Sequence, residues 1–443
     1  FIQFNKNVFV ISGKTETYFE NLGNDKVKES NFIKKKKNSR VNVYKNTWRV
    51  DTYLSNFFSI NIARSTKHYD KELIQKVFTQ NHVNASIFEL ALIISFLGIG
   101  FFRDISWLNI PAGASIFLLF TLLIMLFSVL YSWFKGWTLT FLILAIVSFN
   151  FLTNRFHLFQ FRNYAYGLNY DLKPKYDHEN ISELQQDKLK VENSIKENIE
   201  ILTHWSQKNK GINKPKMVFI NTSGGGLRSA LWTVHVLNFL DSITNQRLTK
   251  QTHLITGASG GMIGAAFYRE NYKKGIYGET MVNGNEMKRR ISKDLLNPLA
   301  FSIATTDMFY RFKKHDDGKY IYTKDRGWFF EKNLIENLNC FEGKRILDYK
   351  LPEYYSDIPM MIFSPSVVND GRRLLISPQK ITFLCNTDTS LFSGKIALEN
   401  IEFSTLFNKN DPQYLKISSA MRMNATFPYI LPMVFLPSEP KIE

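Results

Sequence analysis

A chain of 443 residues with 56 Lys and Arg against 39 Asp and Glu, a net charge of +17, has room for a membrane region and one catalytic domain. Its two cysteines exclude a disulfide framework, and neither they nor the eight scattered histidines have metal-site spacing. A mean hydropathy of −0.18 conceals a segregated chain with polar ends and an apolar middle.

Residues 1–86 carry 15 Lys and Arg against 7 Asp and Glu, with the densest cluster at Lys34, Lys35, Lys36 and Lys37. This basic soluble segment reads as cytoplasmic by the positive-inside rule. A patch that grips anionic headgroups is the second reading. No nucleic-acid-binding motif accompanies the charge, so nucleic acid is not an expected partner.

Residues 87–153 hold three apolar runs, 87–102, 114–134 and 137–152. After Glu89 the only charges within or between them are Arg103, Asp104 and Lys135. A spanning helix needs about 20 apolar residues. The second run meets that length, and the other two are shorter. Trp107, Trp133 and Trp137 stand at the expected interfaces. The region predicts about three transmembrane helices. Residues 154–214 read as a helical linker. One helix is expected over 181–207, with Leu184, Leu189, Ile195, Ile199 and Leu202 near one face.

From residue 215 the pattern becomes strand, glycine turn, helix, and it occurs twice. Met217, Val218, Phe219 and Ile220 lead into Ser223-Gly224-Gly225-Gly226-Leu227-Arg228. Leu254 and Ile255 lead into Gly257-Ala258-Ser259-Gly260-Gly261, where Ser259 follows Gly226 by 33 residues. The second turn is a G-x-S-x-G nucleophile elbow. A serine hydroxyl is a weak nucleophile, so it must be exposed, oriented and activated by a base. The tight turn favours small neighbours at Gly257, Gly260 and Gly261. The following helix, expected from about 260 to 269, points its positive end at the serine. Gly224, Gly225, Gly226 and Gly260 can offer main-chain N–H groups to a tetrahedral oxyanion. Arg228 adds positive charge. A glycine turn capping a Rossmann-like helix, with Ser259 as an ordinary N-cap, is the bland reading of the second turn alone. Two such units in tandem favour a serine acyl hydrolase.

The histidines bear on which kind. An α/β-hydrolase triad runs Ser, Asp, His along the chain, and only His315 follows Ser259. It sits in a charged stretch, 311–317, that reads as a surface loop. His253 lies on the strand into the elbow and His235 at mid-helix. A Ser-His-Asp triad is therefore disfavoured, and a Ser-Asp dyad fits better. No P-loop occurs, and Asp316-Asp317-Gly318 reads as a turn.

At these residues the chain resembles the patatin-like phospholipases, lipid acyl hydrolases that use a Ser-Asp dyad. Gly224-Gly225-Gly226-Leu227-Arg228 matches the family's oxyanion loop, and Gly257-Ala258-Ser259-Gly260-Gly261 its elbow. The segment from Ile417 to Pro428, with Ser418, Ser419, Ala420 and Ala425, resembles its late small-residue segment. The resemblance covers about 215–443 and implies an α/β fold: a three-layer α/β/α catalytic domain preceded by transmembrane helices. It also implies membrane lipids as substrate and anchor, no cofactor and no metal. The membrane-bearing N-terminal half is similar to that of bacterial members, which implies a multi-span protein of the bacterial inner membrane.

Two departures stand out. Ser223 occupies a position where the family often has Asp. The family's base lies in an Asp-Gly pair after the small-residue segment, and none follows Pro428 here. The sequence therefore reads as a fragment, with the base expected beyond Glu443. Asp370, in the Asn369-Asp370-Gly371 turn of an expected β-hairpin, is the weaker candidate. The missing aspartate motivates one alternative, a catalytically inactive scaffold or lipid-binding protein on the same fold. A membrane acyltransferase, in which an alcohol intercepts the acyl-enzyme, is another.

Overall fold

The computed structural model describes residues 52–54, 60–62, 70–102, 110–156, 162–305, 307, 311, 313–385, 399–427 and 429–442. The lysine cluster at 34–37, Arg103, Asp104, Trp107 and Pro428 lie outside the described residues. The chain divides into two compact units, Phe1–Ile99 with Leu118–Phe156, and Gly100–Phe117 with His157–Glu443.

In the first unit, β1 (Thr52–Leu54) and β2 (Ile60–Ile62) pair antiparallel. Among the described residues three α-helices follow: α1 (Lys71–Ile99), α2 (Ala112–Phe134), whose residues up to Phe117 fall in the second unit, and α3 (Thr138–Phe156). Among the described residues, two stretches are long and apolar enough to cross a membrane. Lys76–Phe102 has 27 residues and a mean hydropathy of 2.1, and Ala112–Phe134 has 23 residues and 2.5. At 1.5 Å per residue each exceeds a hydrocarbon core of about 30 Å. The helix around the first apolar run starts at Lys71, well before residue 87, which gives that run its spanning length. The apolar part of α3, Thr138–Thr153, is shorter. The expected three spans thus become two of spanning length and one short apolar helix. Ile124 and Leu139 are exposed, and Ser128 donates a 3.3 Å hydrogen bond to Glu89, the one carboxylate of the first run.

The second unit mixes helices with a parallel sheet. It begins with α4 (His178–Gln186) and α5 (Lys188–Lys208). The single helix expected over 181–207 is divided, because Asp187 adopts extended backbone and its side chain accepts from Lys190 N. An Asp that can cap a new helix competes with helix continuation. Of the 154–214 stretch, residues 154–156 end α3, and the described residues from 162 onward belong to the second unit. Tyr176 N donates to the Glu439 carbonyl, Gln185 to that of Asn400, and Trp205 to that of Gln251.

The sheet consists of β3 (Val218–Thr222), β4 (Thr252–Gly257) and, after the small hairpin of β5 (Lys314–Asp316) and β6 (Ile321–Thr323), β7 (Met360–Phe363). All three sheet strands are parallel, with β4 central. Among the helices on the chain between them are α6 (Gly226–Ile243) after β3, α7 (Ser259–Ile276) after β4, and α8 (Arg326–Leu338) before β7. Period-two alternation sends strand side chains to two cores. Ile255, Met361 and Phe363 join Val234 and Leu237 of α6 and Met262 and Phe267 of α7. Leu254, Met360 and Ile362 meet Ile201 of α5.

Helix α7 is buried continuously from Gly260 to Asn271. Its small residues permit this: a Cβ on Gly264 would lie 2.4 Å from the Ala230 carbonyl oxygen, so α6 and α7 touch backbone to backbone. After β7 the chain turns into β8 (Arg373–Leu375), which pairs parallel with β9 (Asn400–Glu402). Helix α9 (Ile417–Asn424) is buried over nearly its whole length and packs against α7 and α8.

Candidate active site

The site is built where β3 and β4 end side by side, Thr222 opposite Gly257. Ala258 N donates to the Thr222 carbonyl at 2.9 Å, which holds the two turns together. Ala258 is extended, and Ser259 follows at φ +51° as the first residue of α7, half-buried. A left-handed serine at a strand-to-helix turn costs about 1–3 kcal/mol and persists only when its surroundings impose it. A nucleophile elbow requires a sharp strand-to-helix turn of this kind. The helix begins at Ser259 itself and runs to Ile276, longer than expected.

The glycine loop lies directly against this serine. A Cβ on Gly224 would sit 3.2 Å from the Ser259 Cβ, with Ser259 Oγ 4.0 Å away. Gly225, at φ +146°, precedes α6, which opens at Gly226. Residues 223–226 and Arg228 are exposed, and Ser229 Oγ donates to the Ser223 carbonyl to fold the loop back. Neither N-cap residue, Gly225 nor Ala258, caps its helix with a side chain. The first N–H groups of α6 and α7 therefore keep capacity for an anion.

Within the two glycine turns, Gly260 has the tightest steric requirement. A Cβ there would lie 1.9 Å from the Gly226 carbonyl oxygen, and one on Gly261 2.3 Å from that of Ser223. Gly260→Ala must separate the two turns. The expected result is a loss of about 1–3 kcal/mol of stability by thermal denaturation. Ser259 reactivity should fall further than that loss of folded protein explains.

Asp370 lies elsewhere. It occupies the turn between β7 and β8, where Phe363 pairs with Ile376 and Ser366 with Arg373, both antiparallel. Its carboxylate accepts from Tyr176 OH at 2.8 Å and pairs with Arg372 at 3.3 Å. None of these partners belongs to the elbow. His315 is on β5 and not in a loop; its ring packs against Trp328 and Tyr166. Burial lowers the His253 pKa from its ordinary value, and the ring packs against Phe219. His235 is exposed on α6. Among the described residues no three His, Cys, Asp or Glu side chains converge to hold a metal.

The small-residue segment is α9, and it carries polar contacts its sequence does not announce. Ser418 and Ser419 donate to Glu331 of α8 at 2.6 and 2.8 Å, and Arg422 Nε pairs with Glu331 at 2.7 Å. Arg422 is fully buried, and its Nη2 reaches the Tyr164 carbonyl. Burial pushes the Glu331 carboxyl up, and Arg422 pulls it the other way. At the end of α9, Asn424 Nδ2 donates to the Gly257 carbonyl at 3.0 Å. Polar residues in a small-residue stretch are the one signal that could have marked α9 as more than packing.

Comparison with known proteins returned no match to a family model, to a curated protein or to a solved structure. The functional reading therefore rests on the geometry of the site.

Proposed function

We propose that this chain is a membrane-bound serine acyl hydrolase of patatin type that cleaves fatty acyl esters of lipids. The observation that carries the reading is Ser259 at φ +51° between β4 and α7, with the Gly224 backbone packed against it. Two cores, one on each face of the parallel sheet, support a three-layer α/β/α domain. The two helices of spanning length support an integral membrane protein, with the bacterial inner membrane as the proposed location. Tethering the enzyme to the bilayer raises its effective concentration beside lipid substrate.

Ser259 Oγ attacks the ester carbonyl carbon and gives up its proton to a base. The N–H groups of Gly224, Gly225, Gly226 and Gly260 hold the developing oxyanion, with Arg228 and the two helix N-termini adding positive potential. The C–O bond to the alcohol breaks and the alcohol leaves with a proton. Water then cleaves the acyl-enzyme, releasing a fatty acid and free serine. Asp370 is not taken as the base, because Tyr176 and Arg372 occupy its carboxylate. That same engagement favours the second reading, a non-catalytic lipid-binding scaffold.

The test is fatty acid release by the full chain in liposomes of ester phospholipid, beside liposomes of the ether-linked analogue. Release from the ester alone is expected. No release by folded protein favours the scaffold, and acyl transfer to an added alcohol in place of release favours the acyltransferase.

A further inference from the structure

Asn424 is the last residue of α9, 167 positions from the elbow in sequence, yet it joins the ends of two sheet strands. Its Nδ2 donates to the Gly257 carbonyl at 3.0 Å, and its Oδ1 accepts from Ser364 N at 3.3 Å. Gly257 closes β4 and Ser364 directly follows β7. One partner is a carbonyl and the other an N–H, so only one orientation of the amide satisfies both, and the reversed orientation sets oxygen against oxygen and N–H against N–H. Asparagine supplies the donor and the acceptor on two separate atoms, whereas ionised aspartate of the same shape offers acceptors alone.

The peptide held this way is the one that launches the elbow. Gly257 sits at φ +153° and Ser259 at +51°, with Ala258 between them. A strained turn keeps its geometry only while neighbouring contacts impose it. Asn424 is itself held firmly, because α9 is anchored to α8 through Ser418, Ser419 and Arg422 on Glu331.

We infer that Asn424 is a positioning residue for Ser259: its amide clamps the Gly257 carbonyl to the end of β7 and so fixes the direction in which the nucleophile emerges. The inference rests on Ser259 being the reactive serine. Asn424 acts through the backbone and touches no reacting atom.

The test is the rate at which a fluorophosphonate modifies Ser259 in the full chain in membranes, for wild type, Asn424→Asp and Asn424→Ala, with the melting temperature of each. Asn424→Asp keeps the size and the acceptor but loses the donor while ionised. At pH 7.5 its rate per folded molecule should be roughly tenfold below wild type, a loss typical of a misaimed reacting group. On acidification the introduced carboxyl takes a proton and regains a donor. The ratio to wild type, taken at each pH, should then climb as the pH falls through the pKa of that carboxyl, which partial burial and the facing Gly257 carbonyl raise and the Ser364 N–H lowers. Asn424→Ala should be slow at every pH, with no recovery. A structural role alone lowers the melting temperature without a pH-dependent ratio. Wild-type reactivity in Asn424→Asp, or a flat ratio, overturns the positioning role while leaving Ser259 as nucleophile. An unreactive, folded wild type overturns the hydrolase reading and this inference together.

Discussion

Ser259→Ala is expected to abolish fluorophosphonate modification of the chain and to lower lipid hydrolysis by on the order of 10³-fold or more. The basis is positional. Ser259 stands at the start of α7, at the end of the central strand and against the exposed glycine loop. The exposed Gly224 backbone packs against that side chain. The alanine variant should fold, since the Cβ is kept and only Oγ is removed. Ser259→Gly separates strain from chemistry. It too should be inactive, but more stable than Ser259→Ala by about 1 kcal/mol, because glycine adopts φ +51° without the steric cost of a Cβ. Equal stability of the two variants would show that the turn carries no strain. Undiminished modification of Ser259→Ala would move the nucleophile to another residue.

Glu331→Ala is expected to produce the largest loss of stability, about 3–5 kcal/mol. It would strip Arg422, with no exposed surface, of its directly paired carboxylate, leaving Asp325 as the neighbouring negative charge, and would deprive Ser418 and Ser419 of their acceptor. A domain stable by about 5–15 kcal/mol loses much of its margin by such a change. The room for Arg422 is itself built in: a Cβ on Gly327 would lie 1.9 Å from its guanidinium. Glu331→Gln keeps a carbonyl acceptor and should cost less than Glu331→Ala. Replacing Glu331 and Arg422 together with apolar residues of similar size should recover part of the loss, since the remaining charge is then gone. Urea denaturation of the four proteins checks the order. A double variant no better than Glu331→Ala would mean that the serines and the Tyr164 carbonyl, and not the ion pair, dominate.

Much of the site is legible along the chain because its chemistry is local. A strand that must turn within three residues into a helix and expose a serine needs Gly257, Gly260 and Gly261, and these stand together in sequence. The loop at Gly224, Gly225 and Gly226 announces itself the same way. The apolar runs follow from composition alone, although the reach of α1 back to Lys71 and the shortness of the apolar part of α3 do not. The break at Asp187 was also available locally, as a capping residue inside an otherwise helical pattern, but side-chain periodicity outweighed it.

What the tertiary structure alone decided are the contacts between distant segments. Arg422 and Glu331 are separated by 91 residues, and Asn424 and Gly257 by 167. Nothing near Asn424 in the chain marks its amide as the clamp on the elbow, and nothing near Asp370 shows that Tyr176 takes its carboxylate. Turn geometry and helix propensity depend on neighbours a few residues away. Which polar groups must find each other in the interior depends on how whole elements pack, because a buried donor or charge takes whatever partner the assembled fold brings within reach.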